Sequence, residues 1–252
     1  MKISMIGAGS QAFCKKLIPD ILLFTDLPEL KLKLSLMDID REKLEIVSDF
    51  AKKISSDKKV PVEIETTADL NKTLDGANYV IAMFQTGGLE ARKLDVEIPQ
   101  KYGVEQSIAD TLGPGGIFKA MRTVPLLLEI CSNMERLCPE ALLLNYTNPM
   151  AINTWAINKA SVIKNVGLCH GVEHSKRHLA KYIVAPLEEI SFLGAGINHM
   201  LWFLKFEWRG QDAYPIIREK IKDLAIYEQD PIRFELMEYT GYFCTESCYH
   251  TS

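Results

Sequence analysis

The sequence predicts a doubly wound α/β fold, a parallel sheet with helices on both faces, followed by the start of a smaller α+β region. Three observations carry this expectation. Short apolar runs alternate with longer helix-periodic stretches through the first two thirds of the chain, which implies parallel pairing. The first of those runs ends in a glycine-rich turn that opens a helix. From Ile190 onward aromatic residues alternate with polar ones, as antiparallel strands require. With 252 residues, 47% of them hydrophobic and 25% charged, the chain can bury a large core and is neither disordered nor fibrous.

Lys2 to Ile6 reads as a strand because its apolar run stops at Gly7-Ala8-Gly9-Ser10-Gln11-Ala12, and the periodic stretch Phe13 to Leu27 reads as the helix that follows. The unit repeats as strand Leu32 to Met37, amphipathic helix Arg41 to Ile54, strand Val60 to Thr66 and buried strand Tyr79 to Phe84. Helix Phe118 to Leu137, strand Ala141 to Asn145, helix Pro149 to Ala160 and strand Asn165 to Cys169 bring the count to about six strands, as in a Rossmann-like sheet. Gly113-Pro114-Gly115-Gly116 is too glycine-rich for a stable element and reads as a loop before Phe118, either facing a ligand or acting as a plain hinge. Phe192, Trp202, Phe203, Phe206 and Trp208 mark the second region, which places a domain boundary between 189 and 190. The chain stops at Ser252 without a charged tail or a completed element, so the expectation is a fragment whose C-terminal domain is incomplete.

Charge excludes some partners. Twenty-nine Lys and Arg against 33 Asp and Glu give a net charge of −4 with no basic stripe, so nucleic acid is not expected. No apolar run reaches the roughly 18 residues of a membrane span, and Met1 to Ile6 leads into a glycine turn rather than a signal peptide. A cytoplasmic protein without a membrane partner is expected. The six cysteines (14, 131, 138, 169, 244 and 248) are scattered, so they are expected to be thiols or metal ligands rather than disulfides.

Gly7-x-Gly9-x-x-Ala12 after a strand is the alanine-ended form of the phosphate-binding fingerprint. Gly7 permits the turn, Gly9 lets a pyrophosphate approach the backbone, and the following helix offers its positive end. Asp38, at the end of the second strand, would bind ribose hydroxyls and repel a 2′-phosphate, which favours NAD over NADP. Its distance from Gly9 exceeds the usual ~20 residues, as one or two extra helical turns would explain. Residues 1–189 are therefore expected to form an NAD-binding domain, with Gly7, Gly9, Ser10, Gln11 and Asp38 at the cofactor, and 190–252 the start of a substrate and metal domain. The bland alternative is a glycine turn that merely starts a helix.

Ligands sit beyond the carboxyl ends of parallel strands, and four such places are polar. They are Gln85-Thr86-Gly87-Gly88 with Arg92 and Asp95, Asn145-Tyr146-Thr147-Asn148-Pro149, Cys169-His170-Gly171, and Gly196-Ile197-Asn198-His199. Cys169 and His199 do not have zinc-finger spacing, and spacing alone favours a buried thiol and a core imidazole over a pair of metal ligands. His174 and His178 share a helix face but lack the intervening glutamate of a His-Glu-x-x-His site, so they read as surface or packing residues. Asn148 reads as the cap of the helix begun by Pro149, with a second option that its amide faces a sugar or hydroxy acid.

Taken together, Gly7-Ala8-Gly9-Ser10, Asp110-Thr111-Leu112-Gly113-Pro114-Gly115-Gly116-Ile117, Asn145 to Pro149, Gly167-Leu168-Cys169-His170, Gly196 to Met200 and Gly241 to Ser247 resemble glycoside hydrolase family four. Within it, the NAD- and manganese-dependent α-galactosidase (melibiase) branch fits best. The resemblance spans the chain and implies a lactate/malate dehydrogenase-like architecture and cofactors NAD and Mn2+. It implies Cys169 and His199 as metal ligands, Asn148, Arg92 and Asn198 as substrate-binding residues, and His170 with Asp110 as catalytic residues, His170 as proton donor. Cys169 followed by His170 points to unphosphorylated sugars, hence a small-molecule glycoside substrate, and the resemblance implies a homo-oligomer, dimer or tetramer. The implied reaction is oxidation at sugar C3, loss of the C2 proton with Mn2+ stabilising the enediolate, elimination, water addition and reduction back. Strand, glycine turn, Asp38 and Asn148-Pro149 also fit a 2-hydroxy-acid dehydrogenase with Arg92 as carboxylate clamp, and a non-catalytic NAD-binding regulator remains a third reading.

Overall fold

A computed structural model describes residues 1–24, 30–108 and 110–245, with the side chains of Gln11 and Ala12 outside the description. The chain divides into two compact units, Met1–Ala91 with Phe118–Leu168, and Arg92–Ile117 with the chain from Cys169 onward. This differs from a single linear boundary at 189/190, because residues 92–117 and 169–189 cluster with the second unit.

The first unit holds six parallel strands: β1 (Lys2–Ile6), β2 (Leu32–Met37), β3 (Val62–Thr67), β4 (Tyr79–Ala82), β5 (Leu142–Asn145) and β6 (Asn165–Gly167). Their order is β3-β2-β1-β4-β5-β6 with every pair parallel, so the chain reverses direction across the sheet at β1 and β4. That crossing is the switch point at which such sheets open a crevice. Side-chain alternation explains the two helical layers. Around β4, Ile81 and Met83 enter one core with Cys14, Ile18, Leu44 and Val47, which come from α1 (Gln11–Leu22) and α2 (Arg41–Lys58). Val80 and Ala82 enter the other core, with Leu74 of α3 (Leu70–Leu74). Two of the three points where the chain passes between units lie in α4 (Gly88–Gln100) and α5 (Gly113–Leu137), the third following Leu168, and the second core also takes Leu127, Ile130 and Met134 of α5 and Ile157 of α6 (Met150–Ala160).

Several boundaries depart from expectation. The helix after the glycine turn ends at Leu22, so the long interval to Asp38 is not made by extra helical turns; residues 25–29 lie outside the described residues. β6 stops at Gly167 and leaves Cys169 beyond the strand. Gly113-Pro114-Gly115-Gly116 is not a loop but the first turn of α5. The reason is tertiary. Gln106 donates to the Leu112 carbonyl at 3.3 Å and accepts from the Gly115 amide at 3.1 Å. A Cβ on Gly116 would lie 2.5 Å from the Thr111 carbonyl, so glycine is what permits this helix start.

The second unit contains α7 (Gly171–Tyr182), an antiparallel sheet ordered β7 (Ile190–Ile197), β8 (Met200–Trp208), β9 (Gln211–Asp212), and helices α8 (Tyr214–Lys220), α9 (Leu224–Tyr227) and α10 (Pro231–Thr240). The expected antiparallel pattern is present with one irregularity. Leu193 pairs with Lys205 and Gly194 with Phe203, so Leu204 is the extra residue of a bulge. Phe203 and Phe206, three apart, would face opposite sides of a regular strand; the bulge turns both into a core with Phe234, Phe243 and Tyr214. No helix among the described residues is long and apolar enough to cross a membrane.

Candidate functional site

The glycine turn is built by the end of β2. The amides of Gly7 and Ala8 both donate to the Met37 carbonyl at 2.9 Å, which seats the turn beside the next residue, Asp38. Gly7 has φ +83°, and a Cβ there would stand 2.8 Å from Cβ of Phe84, so both turn conformation and packing require glycine. At Gly9 the neighbour is Asp38 itself: the Gly9 amide donates to Asp38 Oδ2 at 2.7 Å, and a Cβ would lie 2.8 Å from the same oxygen. The Asp40 amide donates to Asp38 Oδ1 at 2.9 Å. Asp38 thus fixes the turn as well as facing the crevice. Ser10 occupies the N-cap of α1 without a side-chain capping bond.

Gly7, Gly9, Ser10 and Asp38 line one cavity of about 780 Å³ together with Gln85 to Gly87 beyond β4. This volume is in the range that holds a cofactor-sized ligand. Its floor includes Leu70, Leu126 and Ile130, and its rim Asp40 and Lys43, none of which the sequence analysis singled out. Asp40 was findable, since it caps α2 by accepting from the Lys43 amide at 3.1 Å. The apolar floor was not, because it comes from helices distant in sequence. A dinucleotide fits these residues: the cradle is one that Cβ atoms would fill, it lies at a helix N-terminus, and an acid faces it.

Asn148 also belongs to the first unit, half-buried after β5. Its expected capping role is corrected: Pro149 is the N-cap of α6, and the Asn148–Pro149 peptide is cis. The buried amide beneath it is Asn145, whose Oδ1 accepts the Thr147 amide at 3.0 Å while its Nδ2 makes no hydrogen bond.

Cys169, His170, Asn198, His199, Arg92 and Asp110 all fall in the second unit. Cys169 is half-buried and its Sγ accepts the Gly171 amide at 3.4 Å. His170 is exposed at the N-cap of α7. His199 is buried in the turn joining β7 and β8 with φ +65°, and beside it Asn198 has an enclosed Oδ1 without a hydrogen bond. Asp110 accepts from Thr111 Oγ1 at 2.8 Å in the stretch that Gln106 braces, and Arg92 is exposed on α4. A thiolate and an imidazole are competent ligands for a first-row divalent ion, manganese included. No cluster of three or more His, Cys, Asp or Glu able to hold an ion occurs among the described residues. By contrast Cys14, under the glycine turn, is pushed up to about 12 by burial and stays a thiol donating to the Ala8 carbonyl.

Residues 2–185 match the family 4 glycosyl hydrolase profile, and residues 194–252 match the family 4 glycosyl hydrolase C-terminal domain. The chain belongs to glycosyl hydrolase family 4. It is 40% identical over 253 residues to an alpha-galactosidase of Bacillus subtilis (strain 168), an alignment covering 100% of this chain and 58% of that protein. The 6-phospho-beta glucosidase of Thermotoga maritima, solved with manganese, NAD+ and glucose-6-phosphate, superposes with a TM-score of 0.79 at 28% identity, over 97% of this chain and 57% of the other. This family 4 chain spans a little over half the length of the curated relatives it matches. A lactate dehydrogenase of Eimeria maxima, solved with NADH and oxamate, shares the fold at TM-score 0.61 and 15% identity, over 99% of this chain and 70% of that one. The dehydrogenase likeness is thus one of architecture, while family 4 carries the sequence likeness.

Proposed function

We propose that this chain is part of an NAD- and Mn2+-dependent α-galactosidase acting on unphosphorylated α-galactosides. The observation that supports it most is the identity with an alpha-galactosidase along the entire chain. The same reading makes the protein a cytoplasmic homo-oligomer and the first unit its NAD-binding part.

In this reading Gly7, Gly9, Ser10 and Gln11 hold the pyrophosphate, Asp38 the ribose, and Cys169 with His199 the metal. The chemistry these groups supply when bound is reversible hydride removal at sugar C3, which acidifies the C2 proton, and electrophilic polarisation of sugar oxygens. Asn148 and Asn198 donate amide hydrogens to sugar hydroxyls, and Arg92 is the cation on the substrate side. His170 protonates the glycosidic oxygen as the bond breaks, and Asp110, braced through Gln106, acts beside it in proton handling.

The test of reaction class is exchange at C2. The natural protein, incubated with an α-galactoside in heavy water, releases galactose with deuterium at C2, read by NMR, because a proton removed there exchanges with solvent. Cleavage with neither C2 deuterium nor a C2-deuterium isotope effect on rate would refute the elimination route, and accumulation of NADH would favour the dehydrogenase. His170→Ala slows substrates with poor leaving groups more than activated aryl galactosides, since poor leaving groups depend most on protonation. Uniform slowing would assign His170 to positioning instead.

Cofactor choice follows from Asp38. NAD binds at least about tenfold more tightly than NADP in calorimetry, because the carboxylate meets a 2′-phosphate with like charge. Asp38→Ala weakens NAD and narrows the gap; it also loosens the turn by removing the acceptor for the Gly9 amide. Equal affinities in the unaltered protein would take Asp38 out of the ribose site.

A further inference from the structure

α7 carries a histidine once per turn, at its N-cap and at 174 and 178. The rings of His174 and His178 have centroids 4.1 Å apart, inclined by 49°, whereas His170 and His174 are 6.2 Å apart. His174 is exposed and His178 half-buried, with its Nδ1 enclosed and without a hydrogen bond. Burial, followed by the neighbouring His174, holds the His178 pKa below the ordinary imidazole value. His178 is therefore neutral near pH 7, the form that ligates metals. The helix beneath the pair is firmly held: Tyr182 donates to Asp230 at 2.8 Å and Arg233 donates to Ser175 at 3.2 Å.

We propose that His174 and His178 form a two-imidazole site for a borderline divalent ion such as nickel, zinc or copper, separate from the Cys169 and His199 pair. Imidazoles at i and i+4 share one helix face, and nitrogen–metal bonds of about 2.0–2.1 Å bring two rings to roughly this separation around one ion. Water completes the coordination, since no third His, Cys, Asp or Glu among the described residues joins the pair. Around His178, Arg233 and Lys181 oppose a cation and Asp230 favours one, so the affinity comes from the nitrogen donors rather than from the field. Such a donor set ranks ions in the order Mn2+, then Zn2+ and Ni2+, then Cu2+, so nickel fills it at concentrations where manganese does not.

Nickel binding to the untagged protein, measured by calorimetry near neutral pH, tests this. His174→Gln and His178→Gln each weaken one nickel equivalent by about tenfold or more while manganese binding is unchanged, and Cys169→Ser and His170→Gln leave that equivalent in place. Cu2+ bound to the unaltered protein shows two equatorial nitrogens in its electron paramagnetic resonance spectrum, reduced to one in either variant. His174 is exposed, so its variant keeps the test sound even if His178→Gln fails to fold. Survival of that equivalent at full affinity in His174→Gln, or its loss only with Cys169→Ser or His170→Gln, overturns the proposal. Loss of manganese with Cys169→Ser is read in the same experiment and bears on the glycosidase reading alone.

Discussion

On the proposed function, Cys169→Ser removes stoichiometric manganese and lowers α-galactoside turnover by roughly 100- to 1000-fold. In the proposed site the thiolate is the softer of two ligands, and a serine hydroxyl stays protonated at neutral pH and does not replace it. The other half, His199, is buried at 7% exposure in a turn with φ +65°, so it cannot swing to compensate. Metal content by atomic absorption and turnover in added manganese are measured side by side. A serine variant with full metal and full metal-dependent activity would show that Cys169 is no ligand. Because a thiolate ligand oxidises, the unaltered protein also loses activity in air and keeps it with a reductant.

Asp230→Ala destabilises the second unit by about 3–5 kcal/mol. Arg233, 1% exposed, makes two contacts with Asp230, Nη2 to Oδ2 at 2.6 Å and Nε to Oδ1 at 3.0 Å, and its guanidinium lies 4.7 Å from the Phe243 ring centre. Asp230 also accepts from Tyr182 at 2.8 Å. Truncating the acid leaves a buried guanidinium without its counter-charge and releases the tie between α10 and α7, the helix that begins after Cys169 and His170. Replacing both members, Asp230→Leu with Arg233→Met, recovers most of the loss, because two apolar groups impose no unpaired charge. Urea unfolding of the unaltered protein and the two variants measures both effects; a loss under about 1 kcal/mol for Asp230→Ala would mean that water reaches the pair.

The central strands β4 and β5 were legible as short apolar runs, Tyr79 to Ala82 and Leu142 to Leu144, and β2 and β3 as alternating ones. The turn was legible because a strand that runs straight into glycines at 7 and 9 and then a helix has the layout of a phosphate cradle. Stretches such as Cys169-His170 and Asn198-His199 carried the resemblance to family 4, which the matched profiles bear out. Less visible were the helices α3, α8, α9 and α10, which are short or weakly periodic and are held by tertiary contacts more than by local preference.

By itself the sequence determined the alternation of strands and helices, their parallel pairing, the glycine turn with its facing acid, and the membership of family 4, since each is written in local pattern or in residue identity. Only the tertiary structure decided where elements begin and what a polar group does once buried. Gly113 to Gly116 became helix because the Gln106 side chain, from the segment before it, supplied hydrogen bonds that composition could not foretell. Leu204 bulged so that Phe203 and Phe206 could share one core. Asp38 joined the glycine turn it was expected only to face, and Asn148 gave up the cap to Pro149. For Gly113 to Gly116, Leu204 and Asp38 the deciding contacts join residues that periodicity cannot relate, because hydrogen bonds and close packing act over a few ångströms of space whatever the separation in sequence.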